Sequence, residues 1–393
     1  MRQKVIVVGG GLIGASTAYY LSKQGVDVTL IESQDIASGT SGACDKAIMM
    51  QSKKPGPLLE LALQSSIMYK GLEEELEADL EYREGGGMIL FETPAEREAI
   101  HQLVARQREA GLDVQLLSRD EARLRQPGLA DHILGSTWWD HDAEVNPLHV
   151  SFAMVRAAQR LGATLRLGTR VSQFLTEQNQ VVGVECGGEK LYADAVVVAM
   201  GVWTPLLLKT LNVDIPILPR KGQILVSERL PAFVTCNILG GAYITAKMTP
   251  KTDDSSASVS SGVGLSFGQT SSGTLLIGGS REFAGYNWRT NVDVTRAISQ
   301  CATRVFPALE SVRILRVFAG LRPYTPDGKP ILGPVEGWSG LYIAAGHEGD
   351  GVALCPITGK MMAEIVCGLD PSLDISPFLL SRFESAVPVL KGE

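Results

Sequence analysis

Three glycines and one carboxylate carry the first chemistry legible in this chain. Gly9, Gly11 and Gly14 fall at GxGxxG spacing in residues 4–32, KVIVVGGGLIGASTAYYLSKQGVDVTLIE, which reads as strand, glycine turn, helix and strand. In such a unit the first glycine allows the tight turn, the second lets the backbone approach a pyrophosphate, and the third lets helix and strand pack closely. Leu12 and Ile13 then open a helix whose positive end faces the phosphates. Glu32 closes the second strand about 20 residues on, where a carboxylate accepts hydrogen bonds from an adenosine ribose, with Ser33 beside it. An ordinary βαβ turn could use the same glycines, but the flanking periodicity and the place of Glu32 favour an adenine dinucleotide. These residues do not choose between NAD and FAD.

A second glycine-rich junction lies near the other end, Ala344-Ala345-Gly346-His347-Glu348-Gly349-Asp350-Gly351-Val352-Ala353-Leu354. A strand, glycines and a helix start aim backbone N–H groups and a positive dipole end at an anion. A reduced flavin carries negative charge at its N1/C2 carbonyl locus, and this is where such a helix would stabilise it. The competing reading is a plain strand-to-helix turn.

The elements that must position these groups follow from pattern. Helices are expected over 57–77, 94–110, 118–124, 147–161 and 351–367, the fourth opened by Asn146-Pro147 and ended by Gly162. Strands are expected at 87–91, 134–137, 164–167, 181–186 and 195–199, the last a continuous apolar run suited to a buried parallel strand. From 216 to about 311 the pattern turns to strands, at 222–226, 242–246, 263–269 and 274–279, with a Ser-, Thr- and Asp-rich surface loop at 247–262; a final strand is expected at 340–346. The fold class is α/β: a Rossmann-like domain assembled from separated segments (1–85, 145–215 and 312–393), plus an α+β second domain with a mostly antiparallel sheet (86–144 and 216–311).

Composition excludes several roles. With 393 residues the chain can bury a large core, and its 45% hydrophobic and 20% charged residues are ordinary for a globular protein. A net charge of -7 gives no footprint for nucleic acid. No apolar run is long enough for a membrane span, and the early first strand leaves no room for a signal peptide, so the expectation is a cytoplasmic protein. The cysteines at 44, 186, 236, 301, 355 and 367 show no metal or cluster spacing. Five read as buried free thiols; Cys44 lies in a loop that should approach the nucleotide.

Four runs occur in order: the opening unit, Val197-Val198-Ala199-Met200-Gly201-Val202-Trp203, Ala319-Gly320-Leu321-Arg322-Pro323 and Ala345-Gly346-His347. Together they resemble the D-amino acid oxidase family of FAD-dependent amine oxidoreductases, over almost the whole chain. The chain is most similar to the glycine oxidase, sarcosine oxidase and multi-subunit amine dehydrogenase members. The resemblance implies FAD, with pyrophosphate and ribose contacts on Gly9, Gly11, Gly14 and Glu32. It puts Thr40, Ser41, Cys44, Asp45 and Lys46 in the loop beside the flavin, and Val171 at the adenine. Gly201 and Trp203 fall near the pyrophosphate, and Gly346, His347, Glu348, Gly349, Asp350, Gly351 and Val352 at the flavin's pyrimidine edge. Covalently flavinylated members carry a cysteine near Gly320–Arg322; none occurs here, so the FAD is expected to be dissociable.

The same resemblance places Arg322 at the arginine that clamps a substrate carboxylate, a task suited to a planar guanidinium; a structural salt bridge is its other reading. Tyr243 matches a tyrosine assisting that carboxylate, or else packs in a strand. Arg281 stands where glycine oxidase has an apolar residue and Gly349 where it has an arginine. Arg281 therefore either binds carboxylate or pairs with Glu282 at a solvated strand end. His347 could titrate near neutrality or position the flavin. The implied reaction is hydride transfer from an amine-bearing carbon to flavin N5, giving an imine. The expected substrate is a small D-amino acid, glycine, sarcosine or a cyclic secondary amine such as hydroxyproline or proline. The acceptor is left open between oxygen, a quinone, and a partner flavin or iron-sulfur protein, the latter two allowing a peripheral place at the inner face of the membrane. Competing readings are oxidation of a 2-hydroxy acid or glycerol phosphate, or a flavin electron-transfer subunit.

Overall fold

The computed structural model describes residues 2–248 and 262–383. Its first sheet is built on the opening unit. Strand Lys4–Val8 lies between Ala195–Val198 and Asp27–Ile31, parallel to both, and Trp338–Ala345 and Thr164–Arg166 extend the parallel set on either side. The antiparallel strands Val171–Glu177, Gln180–Cys186 and Glu189–Tyr192 continue one edge, and Ile331–Val335 pairs back on Trp338–Ala345. Alternation along Lys4–Val8 divides its side chains between two cores. Val5 and Val7 pack with helices Leu12–Lys23, Pro147–Arg160 and Gly351–Val366, whereas Ile6 and Val8 pack on the other face with Phe174, Val184 and Leu207. Burial on both faces is why the central strands read as unbroken apolar runs.

Local chemistry sets the helix limits. Asn146 accepts hydrogen bonds from the Leu148 and His149 N–H groups, Pro147 follows at the first helical position, and Gly162 at φ 104° takes the chain out of the helix. The expected helix over 57–77 is two helices, Pro57–Tyr69 and Leu72–Leu76, divided at Gly71. Three of the six cysteines, 186, 236 and 355, are buried free thiols; Cys301 and Cys367 are only partly covered.

The second sheet has eight strands, ordered Ile314–Tyr324, Leu218–Arg229, Thr274–Ser280, Val263–Gln269, Asn237–Gly240, Gly87–Phe91, Gly135–Trp138 and Gln115–Ser118. All its pairings are antiparallel except Asn237–Gly240 with Gly87–Phe91. Helix Val292–Val305 covers one face through Val294, Ile298 and Ala302. Strand Ile314–Tyr324, which lies on the first-domain side of the expected boundary at 312, joins this sheet.

One expected strand is a helix: residues 242–246 lie within Gly241–Met248. Gly241 starts it close against the Leu90 carbonyl and Ile100, where a side chain would collide, and Ile244 is wholly buried. Packing against helix Pro94–Glu109 therefore overrides the β-branched character of the run. Of the expected 247–262 loop, residues 249–261 lie outside the described residues, while Lys247 and Met248 end this helix.

Candidate active site

The glycine turn has the geometry its residues demand. Gly9 sits at φ 110°, and a Cβ there would fall 2.5 Å from the Ala199 carbonyl oxygen. A Cβ on Gly14 would fall 1.8 Å from the Gly9 oxygen, so helix and turn touch through bare backbone. At Gly11 a Cβ would meet only the Ser41 hydroxyl, and at Gly201 nothing. Neither Leu12–Lys23 nor Gly351–Val366 is capped by the side chain of its N-cap residue. Two helix N-termini and an open backbone cradle thus fit a pyrophosphate and an electron-rich ring.

Around this cradle the sequence-predicted residues gather unevenly. The Ser41 hydroxyl accepts the Leu12 N–H at 2.9 Å, Ile13 follows in the same first turn, and Thr40 Oγ1 donates to the Leu321 carbonyl at 2.5 Å. Glu32 spends its carboxylate on the Gly10 and Gln34 N–H groups and the Ser33 hydroxyl, which fixes the turn. Thr169 donates its N–H to the Glu32 carbonyl, so the segment entering the strand at Val171 passes beside the end of Asp27–Ile31. Trp203 lies against Gly39. Lys46 is directed into the second domain, where it pairs with Glu144 and donates to the Gln269 carbonyl. Asp45 accepts from Ser266 Oγ at 2.8 Å, and burial pushes the Cys44 thiol far above its usual range while Sγ donates to the Ser41 carbonyl.

The second junction docks on the same strand. Glu348, at φ 49°, donates its N–H to the Pro323 carbonyl. Its carboxylate pairs with the buried Arg220 and accepts the Gly349 N–H. Asp350 pairs with Lys53 at 3.1 Å, and Val352 accepts the Tyr69 hydroxyl proton at 2.6 Å. Gly346, at φ 81°, leaves room for Thr325, and Gly351 begins the helix. His347 is wholly buried with Nε2 3.1 Å from Thr358 Oγ1, and burial lowers its pKa to about 3. Burial thus favours the neutral ring, which suits a positioning role beside Thr358.

Arg322 lies at the meeting point. Its strand pairs Arg220 with Arg322 and Gly222 with Gly320 on one face. Gly222 makes room for the Arg322 guanidinium, which a Cβ would meet at 2.2 Å, and Gly320 makes room for the Ala43 carbonyl at 2.4 Å. Arg322 Nη1 donates to the Ser280 carbonyl at 2.9 Å, and no carboxylate among the described residues pairs with it. A Cβ on Gly349 would fall 3.6 Å from the Arg322 Cδ and Nε.

Arg281 forms the adjoining wall. Its guanidinium stacks on the Tyr243 ring 3.8 Å from the centroid, and Nη1 donates to the Tyr243 carbonyl at 3.0 Å. Of the two readings for Arg281, the pair with Glu282 does not form, because Glu282 is taken by Lys221, Gln223 and Ser280. Tyr243 therefore presents itself from a helix and not a strand. Tyr243, Arg281, Asp45, Ser266, Gly349 and Asp350 line one cleft.

Sequence reasoning missed Arg220 and Lys53. Burial, then Arg281 and Arg322, press the Arg220 pKa down, while Glu348 pairs with its guanidinium. The arginine stands in the run PRKGQILV, but its partner is 128 residues away and no local pattern joins them.

The DAO family model, described as FAD dependent oxidoreductase, matches residues 4–365. The chain belongs to this family. It is 28% identical over 429 residues to the hydrogen cyanide synthase subunit HcnC of Pseudomonas protegens, covering 98% of this chain and 97% of that one. Glycine oxidase of Geobacillus kaustophilus is 29% identical over 397 residues, covering 99% of each. The crystal structure of L-proline dehydrogenase from P. horikoshii superposes with a TM-score of 0.87 at 26% identity, over 98% of each chain. The chain is thus an FAD-dependent oxidoreductase with amine- and amino-acid-oxidising relatives. No helix among the described residues is long and apolar enough to cross a membrane, and no cluster there could hold a metal.

Proposed function

We propose that this protein oxidises the C–N bond of a small amino acid or secondary amine to the imine, with Arg322 holding the substrate carboxylate. The observation that carries this reading is a half-buried guanidinium, anchored through one nitrogen to the Ser280 carbonyl and lacking a carboxylate partner among the described residues, beside the loop that opens helix Gly351–Val366. A guanidinium so held binds a carboxylate in a fixed plane and sets the adjacent carbon in register. Bound FAD supplies the two-electron acceptor. Gly9, Gly11, Gly14 and Gly201 would hold its phosphates, with Glu32 and Val171 toward the adenosine and the 346–352 loop beside the ring. The absence of a linking cysteine in the Gly320–Arg322 run supports a dissociable cofactor.

A base to deprotonate the amine is not prominent. His347 faces Thr358, Asp45 accepts from Ser266, and Glu348 and Asp350 are in ion pairs. Arg281 and Arg322 instead disfavour a second positive charge nearby, which lowers the pKa of a bound ammonium and selects the neutral amine.

The test is anaerobic flavin bleaching of the purified holoprotein by glycine, sarcosine, D-proline, hydroxyproline and acidic amino acids, set against 2-hydroxy acids and glycerol phosphate. Bleaching by an amine, lost at least about a hundredfold in Arg322→Ala, is the expected result. Bleaching by hydroxy acids alone would sink the amine reading, and no bleaching at all would favour an electron-transfer subunit. Repeating the active case in air separates oxygen from a partner protein or quinone as acceptor.

A further inference from the structure

The cleft holds more positive charge than one carboxylate requires. Arg220, Arg281 and Arg322 approach closely enough for the latter two to disfavour the charge on the first. The acids around them are already engaged: Glu348 with Arg220, Asp350 with Lys53, Asp45 with Ser266, and Glu282 with Lys221. Lys46 is taken by Glu144. Two guanidiniums, Arg281 lining the cleft and Arg322 behind its Gly349 wall on the Ser280 carbonyl, therefore lack an acidic partner among the described residues. Arg281 is also under-satisfied, since its buried Nε has no hydrogen-bond partner. The Nε of Arg220 is likewise unmet, but Arg220 has Glu348, so the unmet N–H and the unanswered charge coincide at Arg281 and favour an anion there.

Resting on the amine-oxidation reading, we propose that the substrate is an amino or imino dicarboxylate, whose α-carboxylate lies on Arg322 and whose second acidic group lies on Arg281. The two arginines reach the site from different elements. Arg322 comes from strand Ile314–Tyr324, whereas Arg281 follows strand Thr274–Ser280 and is oriented by the helix carrying Tyr243. Gly349 lines the cleft with Arg281, and a side chain there would reach Arg322. A Cβ there would sit 3.6 Å from the Arg322 Cδ and Nε, so the bare backbone leaves that side of Arg322 uncovered by a side chain at residue 349. A monocarboxylic amine would leave the Arg281 charge unanswered, and a dicarboxylate neutralises both.

Binding of unreactive acids tests this without turnover. Acetate, malonate, succinate and glutarate are titrated into the oxidised holoprotein and followed by the shift in its flavin spectrum. At least one diacid is expected to bind about tenfold or more tightly than acetate, the increment of one further charge-assisted contact. Arg281→Gln is expected to weaken diacids far more than acetate, bringing their ratio to about one, and Arg281→Lys to retain part of the preference. Arg322→Gln should weaken every acid. Diacids no tighter than acetate in the wild type, or an Arg281→Gln variant that loses acetate and diacids equally, would overturn the second anchor. Acetate binding that still depends on Arg322 leaves the amine reading standing in that case, and no acid binding at all overturns both.

Discussion

Removing Glu348 should expose how much the floor of the site depends on one carboxylate. Arg220 is 7% exposed and lies over the Tyr324 ring, 4.7 Å from its centroid. Its neutralising partner is Glu348, and its other charged neighbours, Arg281 and Arg322, repel it. In Glu348→Ala the guanidinium stays desolvated beside two like charges. Breaking a buried pair from one side costs about 3–5 kcal/mol, which for a chain of this length corresponds to a fall of roughly 4–6 °C in Tm. The Gly349 N–H loses its acceptor in the same variant. Replacing both partners, Arg220→Met with Glu348→Ala, removes the stranded charge, and apolar replacement of a buried pair is often neutral or better. The double variant should therefore recover most of the loss, giving a coupling of about 2–3 kcal/mol in a double-mutant cycle. Thermal and urea unfolding of the four proteins, each loaded with FAD, measures it. A double variant as unstable as Glu348→Ala would show that the carboxylate acts through the loop backbone, and the charge argument would fail.

Gly14→Ala sets a Cβ 1.8 Å from the Gly9 oxygen, so the protein should purify with little FAD, read from the ratio of visible to ultraviolet absorbance. Gly222→Ala places its methyl on the Arg322 guanidinium instead; FAD content should stay normal while acetate binding weakens about as much as in Arg322→Gln. Burial raises the Asp142 pKa from 3.8 to about 7, against the hydrogen bonds from Gln51 and the Met50 N–H. The folded state therefore keeps a proton the unfolded chain loses, and stability falls by about 4 kcal/mol as pH rises from 4 to 7. His347 has the opposite sign: its contribution is complete above pH 6.5 and is lost as pH falls toward 3. The two slopes oppose each other between pH 4 and 6.5, so Asp142→Asn should reveal stability rising with pH there, and His347→Gln stability falling; unfolding curves at several pH values would refute either by showing the wild-type slope.

The opening unit was legible because its constraints are local. Gly9, Gly11, Gly14 and Glu32 act within one turn and two strands, and their spacing carries the geometry. Arg322 could be found through the run around it, but what makes it available could not. Gly222 is opposite Gly320 through a register joining residues about a hundred apart, and Glu348 answers Arg220 from farther still. The 242–246 run alternates like a strand, yet Gly241 and Ile244 meet Leu90 and helix Pro94–Glu109, so tertiary packing decides. The expected boundary at 312 likewise left Ile314–Tyr324 outside the second sheet, because strand partners are a long-range property.

The order in which the first sheet is completed has a bearing on biosynthesis. Lys4–Val8 leaves the ribosome early, but its neighbour Ala195–Val198 comes nearly 200 residues later, and Trp338–Ala345 and the covering helix Gly351–Val366 close to the end. Ser16 donates to the Cys355 carbonyl across helices so close that Gly359 leaves no room for a Cβ. Until that helix emerges, an apolar face of Leu12–Lys23 and an unpaired strand edge have no native cover. A nascent chain stalled or cut before residue 351 should thus be aggregation-prone and a client for chaperones, however sound its glycine turn.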